Sequence, residues 1–336
     1  MSMFSRYLSS MVSRMRDVLS PSAKERMKEY RYKTVGFFLG LLEPMIGRFI
    51  TFHTRPIYRE GVLIEHADRE MDYSDYAIVI QGPLVRDHDF TFETIKLYKD
   101  YFKSASIILS TWEGEDSETL RKIRAEGVDV LLNKKPASAG PRNINLQIVS
   151  ARAGILLAVS MKKKYLLKTR TDVRMYSSNA LTFLFQMLMR FPLHTSGFAQ
   201  KGRLISTHGS ISKWYFFPDM MVFGYAEDVQ KYFNPAFVAD DVTALQIGDV
   251  EASFVPEQYF FMEFLKKIGY SLTFTDEDSR MVQARNALIL DPESLDWYWC
   301  KYDRHLEYRH ITYRRKKRIV GFPEWFILYS LYDVAP

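Results

Sequence analysis

The sequence predicts an α/β protein with a mostly parallel central sheet that is flanked by helices. Short apolar runs alternate with segments of helical spacing between residues 76 and 170, and this alternation is typical of βαβ units. A chain of 336 residues with 47% hydrophobic content can also bury a substantial core. Right-handed crossovers would bring the carboxyl ends of the parallel strands to one edge of the sheet, where ligands bind in open α/β folds.

The N-terminal segment, residues 1–70, is predicted to be helical and basic. Apolar residues recur every three or four positions from Phe4 to Leu19, with arginines between them, which predicts a basic amphipathic helix. Ser20-Pro21 is expected to begin a second helix. Residues 1–60 carry eleven Lys and Arg against five Asp and Glu, so the whole net charge of +6 lies here. We expect attachment to an anionic membrane surface; the alternative is a helical pair that packs on the main domain.

Neither a spanning helix nor a disulfide is expected. The apolar run from Val35 to Phe52 is interrupted by Glu43, Pro44 and Arg48, whereas a spanning helix needs about 20 mostly uncharged residues. The single cysteine cannot form an internal disulfide, and no secretory signal pattern is visible. These features favour a reducing, cytoplasmic location.

The central region, residues 71–285, is predicted to form the main domain. Its first strands are YAIVI, SIILSTW and VDVLL, each separated from the next by a helix. A loop, NKKPASAGPR, then leads to a long apolar helix and to the strand that contains YLLKTR. Beyond Tyr176 the pattern loosens, and we predict strands at MMVFGY (220–225) and SLTFT (271–275).

The C-terminal segment, residues 286–336, is predicted to be a basic and aromatic tail. The basic run at 314–318 precedes IVGFPEWFILYSLY, a combination that indicates a membrane anchor. Nucleic acid is not expected as a partner, because the basic residues lie at the two ends of the chain and not among base-stacking aromatics. His305 and His310 could complete a metal or diphosphate site, or they could be ordinary surface residues.

A charged row follows the last of these apolar strands. Period two would place Lys168, Arg170, Asp172 and Arg174 on one face if the strand continued through them. Such a row is either a solvated edge or the floor of a charged site, because unpaired charge is costly in a core. The apolar residues before it favour a site.

The predicted strand ends together suit a nucleotide diphosphate. They supply polar loop backbone and aromatic surface for a base, cations for phosphates, and one carboxylate. Asp172 could bind a divalent cation, Mn²⁺ or Mg²⁺, that bridges the phosphates, or the cations could neutralise the diphosphate directly. The glycine-rich phosphate loops of dinucleotide-binding folds and P-loop proteins are absent from the sequence.

Five motifs in order resemble the WavE-type lipopolysaccharide synthesis proteins, a group of bacterial glycosyltransferase-like proteins. They are IQGP, STW, NINLQ, KTRTDVR and PEQYF, and the resemblance covers about residues 75 to 275. It implies a GT-A-like, Rossmann-like fold that binds a nucleotide sugar. It also implies an acidic motif for the metal–diphosphate, and Arg170 stands where many such enzymes have the first of two acids.

The resemblance, together with the strand ends, implies a site with named members. Asp172 is the predicted metal ligand. Glu257, at a helix start, and Asp219, before a strand, are the candidates for the base that deprotonates an acceptor hydroxyl; a helix-dipole role and a turn are their alternatives. The donor-binding candidates are Gln81, Gly82, Pro83, Thr111, Trp112, Arg142, Asn145, Lys168 and Arg170.

The resemblance thus implies a glycosyltransferase that moves a sugar from a nucleotide diphosphate donor to a glycan acceptor on a lipid, in lipopolysaccharide or surface polysaccharide synthesis. Its expected location is peripheral, on the inner face of the cytoplasmic membrane. The missing first acid keeps open a non-catalytic glycan- or membrane-binding protein on the same fold. A nucleotidyltransferase would be expected to carry a Gly/Arg-rich loop near the first strand, which IQGP does not supply.

Overall fold

The computed structural model describes residues 21–47, 54–62, 71–194, 197–210, 213–301 and 319–333. The chain divides into two compact units, Met1–Arg55 and Pro56–Pro336. In the first unit, helix α1 spans Pro21–Ile46. It begins at the predicted proline but continues into the apolar run as far as Ile46. The helix predicted before Ser20, the basic run at 314–318 and the two C-terminal histidines lie outside the described residues.

The second unit alternates strands and helices. In chain order its strands are β1 Tyr76–Gln81, β2 Ser106–Trp112, β3 Asp129–Asn133, β4 Tyr165–Arg170, β5 Val173–Met175, β6 Leu204–Thr207, β7 Gly209–Ser210, β8 Val222–Tyr225, β9 Ala244–Ile247, β10 Val250–Ser253, β11 Ala287–Leu290, β12 Trp297–Trp299 and β13 Ile319–Val320. Its helices are α2 Phe90–Tyr101, α3 Ser117–Ala125, α4 Ile144–Ser160, α5 Ala180–Arg190, α6 Ala226–Tyr232, α7 Pro256–Lys267, α8 Asp276–Asn286 and α9 Phe322–Tyr332.

A seven-stranded sheet with the order β11-β6-β8-β4-β1-β2-β3 lies at the centre of this unit. Strand β1 pairs in parallel with β2 and β4, β2 pairs in parallel with β3, and β6 pairs in parallel with β11. Strand β8 runs antiparallel to both of its neighbours, β4 and β6. The prediction of an α/β fold with a mostly parallel sheet flanked by helices is therefore confirmed.

The long apolar helix α4 covers one face of the sheet. A Cβ atom at Gly154 would lie 2.5 Å from Cγ1 of Val79, so only glycine permits this approach of helix to strand. The segment Pro141–Ser160, which includes α4, is the one candidate among the described residues that is long and apolar enough to cross a membrane. Ile144, Ile148 and Ile155 of α4 are buried, so this helix belongs to the core of the unit.

The strand predicted at 271–275 is wrong. The N–H of Thr273 donates to Asp278, the N–H of Phe274 donates to the hydroxyl of Tyr215, and Thr275 caps helix α8. These backbone groups are therefore bonded to side chains and not to a neighbouring strand. Strand β11, which follows α8, instead forms the edge of the sheet. Local bonding to side chains has overridden β propensity here.

The described end of the C-terminal segment packs on the same unit. Helix α9 lies against α8 and β11, and the side chain of Trp325 is completely buried. Its indole N–H is shared between the carbonyl oxygens of Gln283 and Ala287. The outer face of α9 exposes Phe326, Ile327 and Leu331.

Candidate functional site at the β1–β4 edge

The sheet changes direction of winding between β1 and β4. From β1 the chain proceeds outward to β2 and β3 on one side, whereas β4 lies on the other side. The last residues of these two strands, Gln81 and Arg170, are paired neighbours. Ligands of open α/β sheets bind outside the carboxyl ends of the strands at such a switch point. Because β8 is antiparallel, the residues before its start at Val222 reach the same edge.

The turn after β1 is joined to the turn after β4. The N–H of Gly82 donates to the carbonyl of Ser110, and the N–H of Thr171 donates to the carbonyl of Gln81. The Thr171 hydroxyl donates to the carbonyl of Pro83 at 2.6 Å. Gly82 has a φ of +125°, and a Cβ there would lie 2.9 Å from the Thr171 hydroxyl oxygen. Gln81 and Gly82 are buried, while Pro83 is exposed at the edge.

The end of β2 is less open than expected. Thr111 and Trp112 are both buried, so the Trp112 ring offers little surface to a nucleotide base. The Thr111 hydroxyl donates to Glu115, whose carboxylate also accepts the N–H of Leu84. Thr111 therefore supports the turn after β1 through Glu115.

Asp172 accepts three hydrogen bonds from two residues. Nε and Nη2 of Arg170 donate to its two carboxylate oxygens at 2.8 and 2.9 Å, and the indole N–H of Trp299 donates to Oδ2 at 2.9 Å. Burial alone would raise the pKa of Asp172, but Arg170 and Trp299 together hold that pKa below its ordinary value. Trp299 reaches the site because β12 pairs with β5, directly after the β4 turn.

The predicted row of alternating charges is interrupted. Strand β4 ends at Arg170, a turn follows, and Arg174 lies in β5. Arg174 is buried, and its guanidinium donates to Thr94, to the carbonyls of Ile57 and Phe90 and to the Tyr176 hydroxyl. It is therefore a structural group apart from the site.

Lys168 lies under the site. It is 1% exposed, and its Nζ donates to the backbone carbonyl of Asp219 at 2.5 Å. The same Nζ is 4.7 Å from the ring centroid of Phe233. Burial lowers the pKa of Lys168 to about 8, and the charge of Asp219 opposes this shift. Lys168 thus holds the segment before β8 and adds positive charge beneath the edge.

Asp219 and Glu257 form an acidic pair. Glu257 is the second residue of α7 and is half-buried, whereas Asp219 is 4% exposed. Burial, and after it the charge of Asp219, raise the pKa of Glu257 to about 7, while Lys213 and Arg142 act in the opposite direction. Tyr232 is buried beside the pair, and its pKa is raised by burial and by both carboxylates. Glu257 therefore keeps its proton to a higher pH than an ordinary glutamate does.

Arg142 and Asn145 have different surroundings. The side-chain amide of Asn145 is buried, donating to the carbonyls of Val238 and Ser138 and accepting from the N–H of Val238. It therefore fastens the loop before α4 to the segment after α6. Arg142 is exposed, with a φ of +52°, and acts electrostatically on Glu257.

A divalent cation, which the family resemblance implies, does not fit the residues around Asp172. Both oxygens of its carboxylate are already hydrogen-bonded. In the described part of the chain, His, Cys, Asp and Glu side chains form no group of three that could hold a metal ion. We therefore assign no step of the reaction to a metal.

Sequence reasoning missed three neighbours of the site. Trp299 lies far along the chain from Asp172, and Tyr232 belongs to a helix that looks ordinarily amphipathic. Lys213 is exposed and adjoins the segment before β8. No local sequence pattern predicts that these residues lie at the site, because each is brought there by the pairing or packing of distant elements.

Comparisons with known proteins place these residues in a family. Among solved structures, the chain is similar to a cytidylyltransferase from Leptospira borgpetersenii serovar Hardjo-bovis (strain JB197), with 12% identity, a TM-score of 0.31, and coverage of 62% of this chain and 85% of that chain. A comparison with curated proteins found no match. The family model described as WavE lipopolysaccharide synthesis matches residues 76–288, more than half of the chain, including Arg170, Asp172, Asp219 and Glu257. The chain therefore belongs to the WavE lipopolysaccharide synthesis family.

Proposed function

We propose that the protein is a glycosyltransferase of lipopolysaccharide synthesis. It transfers a sugar from a nucleotide diphosphate donor to a lipid-carried glycan acceptor, on a GT-A-like variant of the α/β fold. Family membership supports the pathway. The observation that carries the reaction type is the acidic pair, because Glu257 has a pKa of about 7 beside the switch point of the sheet. A carboxylate with a pKa near the working pH is suited to general base catalysis.

The chemistry follows from the positions of the two carboxylates. Glu257 accepts the proton of an acceptor hydroxyl as that oxygen bonds to the anomeric carbon of the donor. The bond from that carbon to the diphosphate breaks, and the nucleoside diphosphate leaves with the electron pair. Asp219 is the positioning group, since it is more deeply buried than Glu257 and keeps the pKa of Glu257 raised. Attack opposite the leaving group would invert the anomeric centre.

We also propose that the protein works at the inner face of the cytoplasmic membrane. The basic excess in residues 1–60 supports attraction to anionic lipid. In α1, Phe37, Phe38, Leu41 and Met45 are exposed, and burial of such side chains in the interfacial region of a bilayer would be favourable.

Transfer from a panel of nucleotide sugars to lipid-linked glycan acceptors tests the reaction type. Glu257→Gln should lower kcat/KM by roughly 10²- to 10⁴-fold, as is typical for the loss of a general base. The matched control is Glu277→Gln, because Glu277 is likewise the second residue of its helix but is exposed. A helix-dipole role predicts similar small effects for the two variants.

A non-catalytic binding protein predicts a different outcome. It would show no transfer with any donor, and Glu257→Gln would leave glycan or membrane binding unchanged. Absence of nucleotide-sugar binding across the panel would overturn the transferase proposal.

A further inference from the structure

We propose that Arg170 binds the donor diphosphate directly and that this site needs no divalent cation. Asp172 and Trp299 hold the Arg170 side chain in position for this contact. This inference rests on the proposed function and names the group that neutralises the leaving diphosphate.

The carboxylate of Asp172 is already bound by the guanidinium of Arg170. Arg170 donates to both oxygens with Nε and Nη2, which is a two-pronged, charge-assisted contact of the strong kind. Trp299 donates a third hydrogen bond at 2.9 Å. Asp172 is only 9% exposed, whereas Mg²⁺ keeps several water molecules around it and needs near-octahedral space. A metal ion would have to displace Arg170 and open the site.

Arg170 is oriented as a binding group would be. Asp172 fixes one side of its guanidinium, whose carbon atom is 5.7 Å from the ring centroid of Trp299. The Arg170 side chain is still 30% exposed, so it meets solvent at the switch point. A planar guanidinium held by a carboxylate and a ring needs little reordering to bind phosphate oxygens. Asp172 and Trp299 are thus positioning residues.

Part of this arrangement lies outside the region that the family model matches. That region ends at residue 288, whereas Trp299 lies in β12, which pairs with β5 immediately after Asp172. The C-terminal segment therefore completes the diphosphate site.

Calorimetric titration of the full chain with UDP and GDP tests the inference, first with EDTA present and then with Mn²⁺ or Mg²⁺. We expect the dissociation constant of the preferred nucleotide in EDTA to lie within about threefold of its value with metal, a difference below about 0.7 kcal/mol. Arg170→Ala should weaken binding by roughly 10- to 100-fold, since hydrogen bonds to charged groups are strong. The matched control is Arg121→Ala, an exposed arginine that pairs with Glu118 on α3, and it should bind like wild type.

Two conservative variants allow the same test if Arg170→Ala does not fold. Arg170→Lys keeps the charge but loses the planar fork, and Trp299→Phe keeps a ring but loses the donor to Asp172. Both should weaken binding by several-fold to about 10-fold, in EDTA as well as with metal.

Binding that vanishes in EDTA, returns with Mn²⁺ and is unchanged in Arg170→Lys would overturn the inference while leaving the proposed transferase intact. Absence of nucleotide binding in both buffers would overturn the two together.

Discussion

Glu257 shows how burial and a neighbouring charge change the pKa of a carboxyl group. Asp219 lies nearby at the end of the sheet, and burial together with the charge of Asp219 raises the pKa of Glu257 to about 7. Lys168 donates to the backbone carbonyl of Asp219, and so fixes the segment that carries this acid. The ionisation of Glu257 therefore changes across the physiological range of pH.

The first prediction is a pH profile. Because the proposed base is the ionised form of Glu257, kcat/KM should rise with pH and level off above about 7, the pKa of this carboxyl group. Glu257→Gln should abolish that ascending limb together with most of the rate, and Glu277→Gln should preserve it. Steady-state rates from pH 5 to pH 9 provide the measurement, and an unaltered limb in Glu257→Gln would assign the titration to another group.

The second prediction concerns the turn after β1. Gly82→Ala should destabilise the protein by about 1–3 kcal/mol, because it places a side chain at a positive φ and 2.9 Å from the Thr171 hydroxyl. Gly114→Ala is the control, since Gly114 has a φ of +86° with nothing within 4 Å of its Cβ position. Urea denaturation should show the larger loss for Gly82. Equal losses would mean that backbone strain alone decides the cost.

At the scale of elements, α1 presents an unusual surface. Between Val35 and Met45 most of its large apolar side chains are exposed, including Phe37 at 65% and Phe38 at 60%. Helix α9 has a smaller exposed apolar face that includes Phe326 and Ile327, while Trp325 is buried in the protein. The two terminal segments were both expected to reach a membrane, and their exposed residues allow the roles to be separated.

The third prediction tests which of the two terminal segments binds the membrane. The double substitution Phe37→Ser/Phe38→Ser should weaken sedimentation with phosphatidylglycerol-containing vesicles by at least about 100-fold, because two buried Phe side chains together contribute about 3–6 kcal/mol. Phe326→Ser/Ile327→Ser should weaken it much less, because α9 is packed on α8 and β11 and exposes a smaller apolar face. A larger loss in the second pair would assign membrane binding to α9.

The elements also show which parts of the fold can be predicted from local sequence patterns. The first strands and helices of the sheet were predictable because each βαβ unit has its own apolar period. The segment at 271–275 has strand-like composition, but its N–H groups bond to Asp278 and Tyr215. Strand β11 was missed because four apolar residues after a helix do not reveal a partner strand far earlier in the chain.

At the scale of the whole molecule, the C-terminal segment is part of the main unit. Strand β11 forms the edge of the central sheet, β12 brings Trp299 to Asp172, and α9 covers β11. The carboxylate of Asp333, just after α9, pairs with the buried guanidinium of Arg203. The fold therefore depends on residues beyond the region that identifies the family.

The fourth prediction tests this dependence. Trp325→Ala should lower the free energy of unfolding by about 3–5 kcal/mol, since the side chain is completely buried. Phe326→Ala, at the exposed neighbouring position, should cost less than about 1 kcal/mol. Thermal unfolding of the full chain measures both. Similar midpoints for the two variants would show that α9 is not needed for the stability of the core.

The sequence by itself determined the class of fold, the edge of the sheet where polar residues collect, and the family. These features depend on local periodicity and on motifs in order, which one chain displays directly. Tertiary structure decided which residues meet at that edge. The antiparallel course of β8 brings Asp219 beside Glu257, and the pairing of β12 with β5 brings Trp299 to Asp172. Strand direction and distant pairing are set by the packing of the whole core, so no local pattern encodes them.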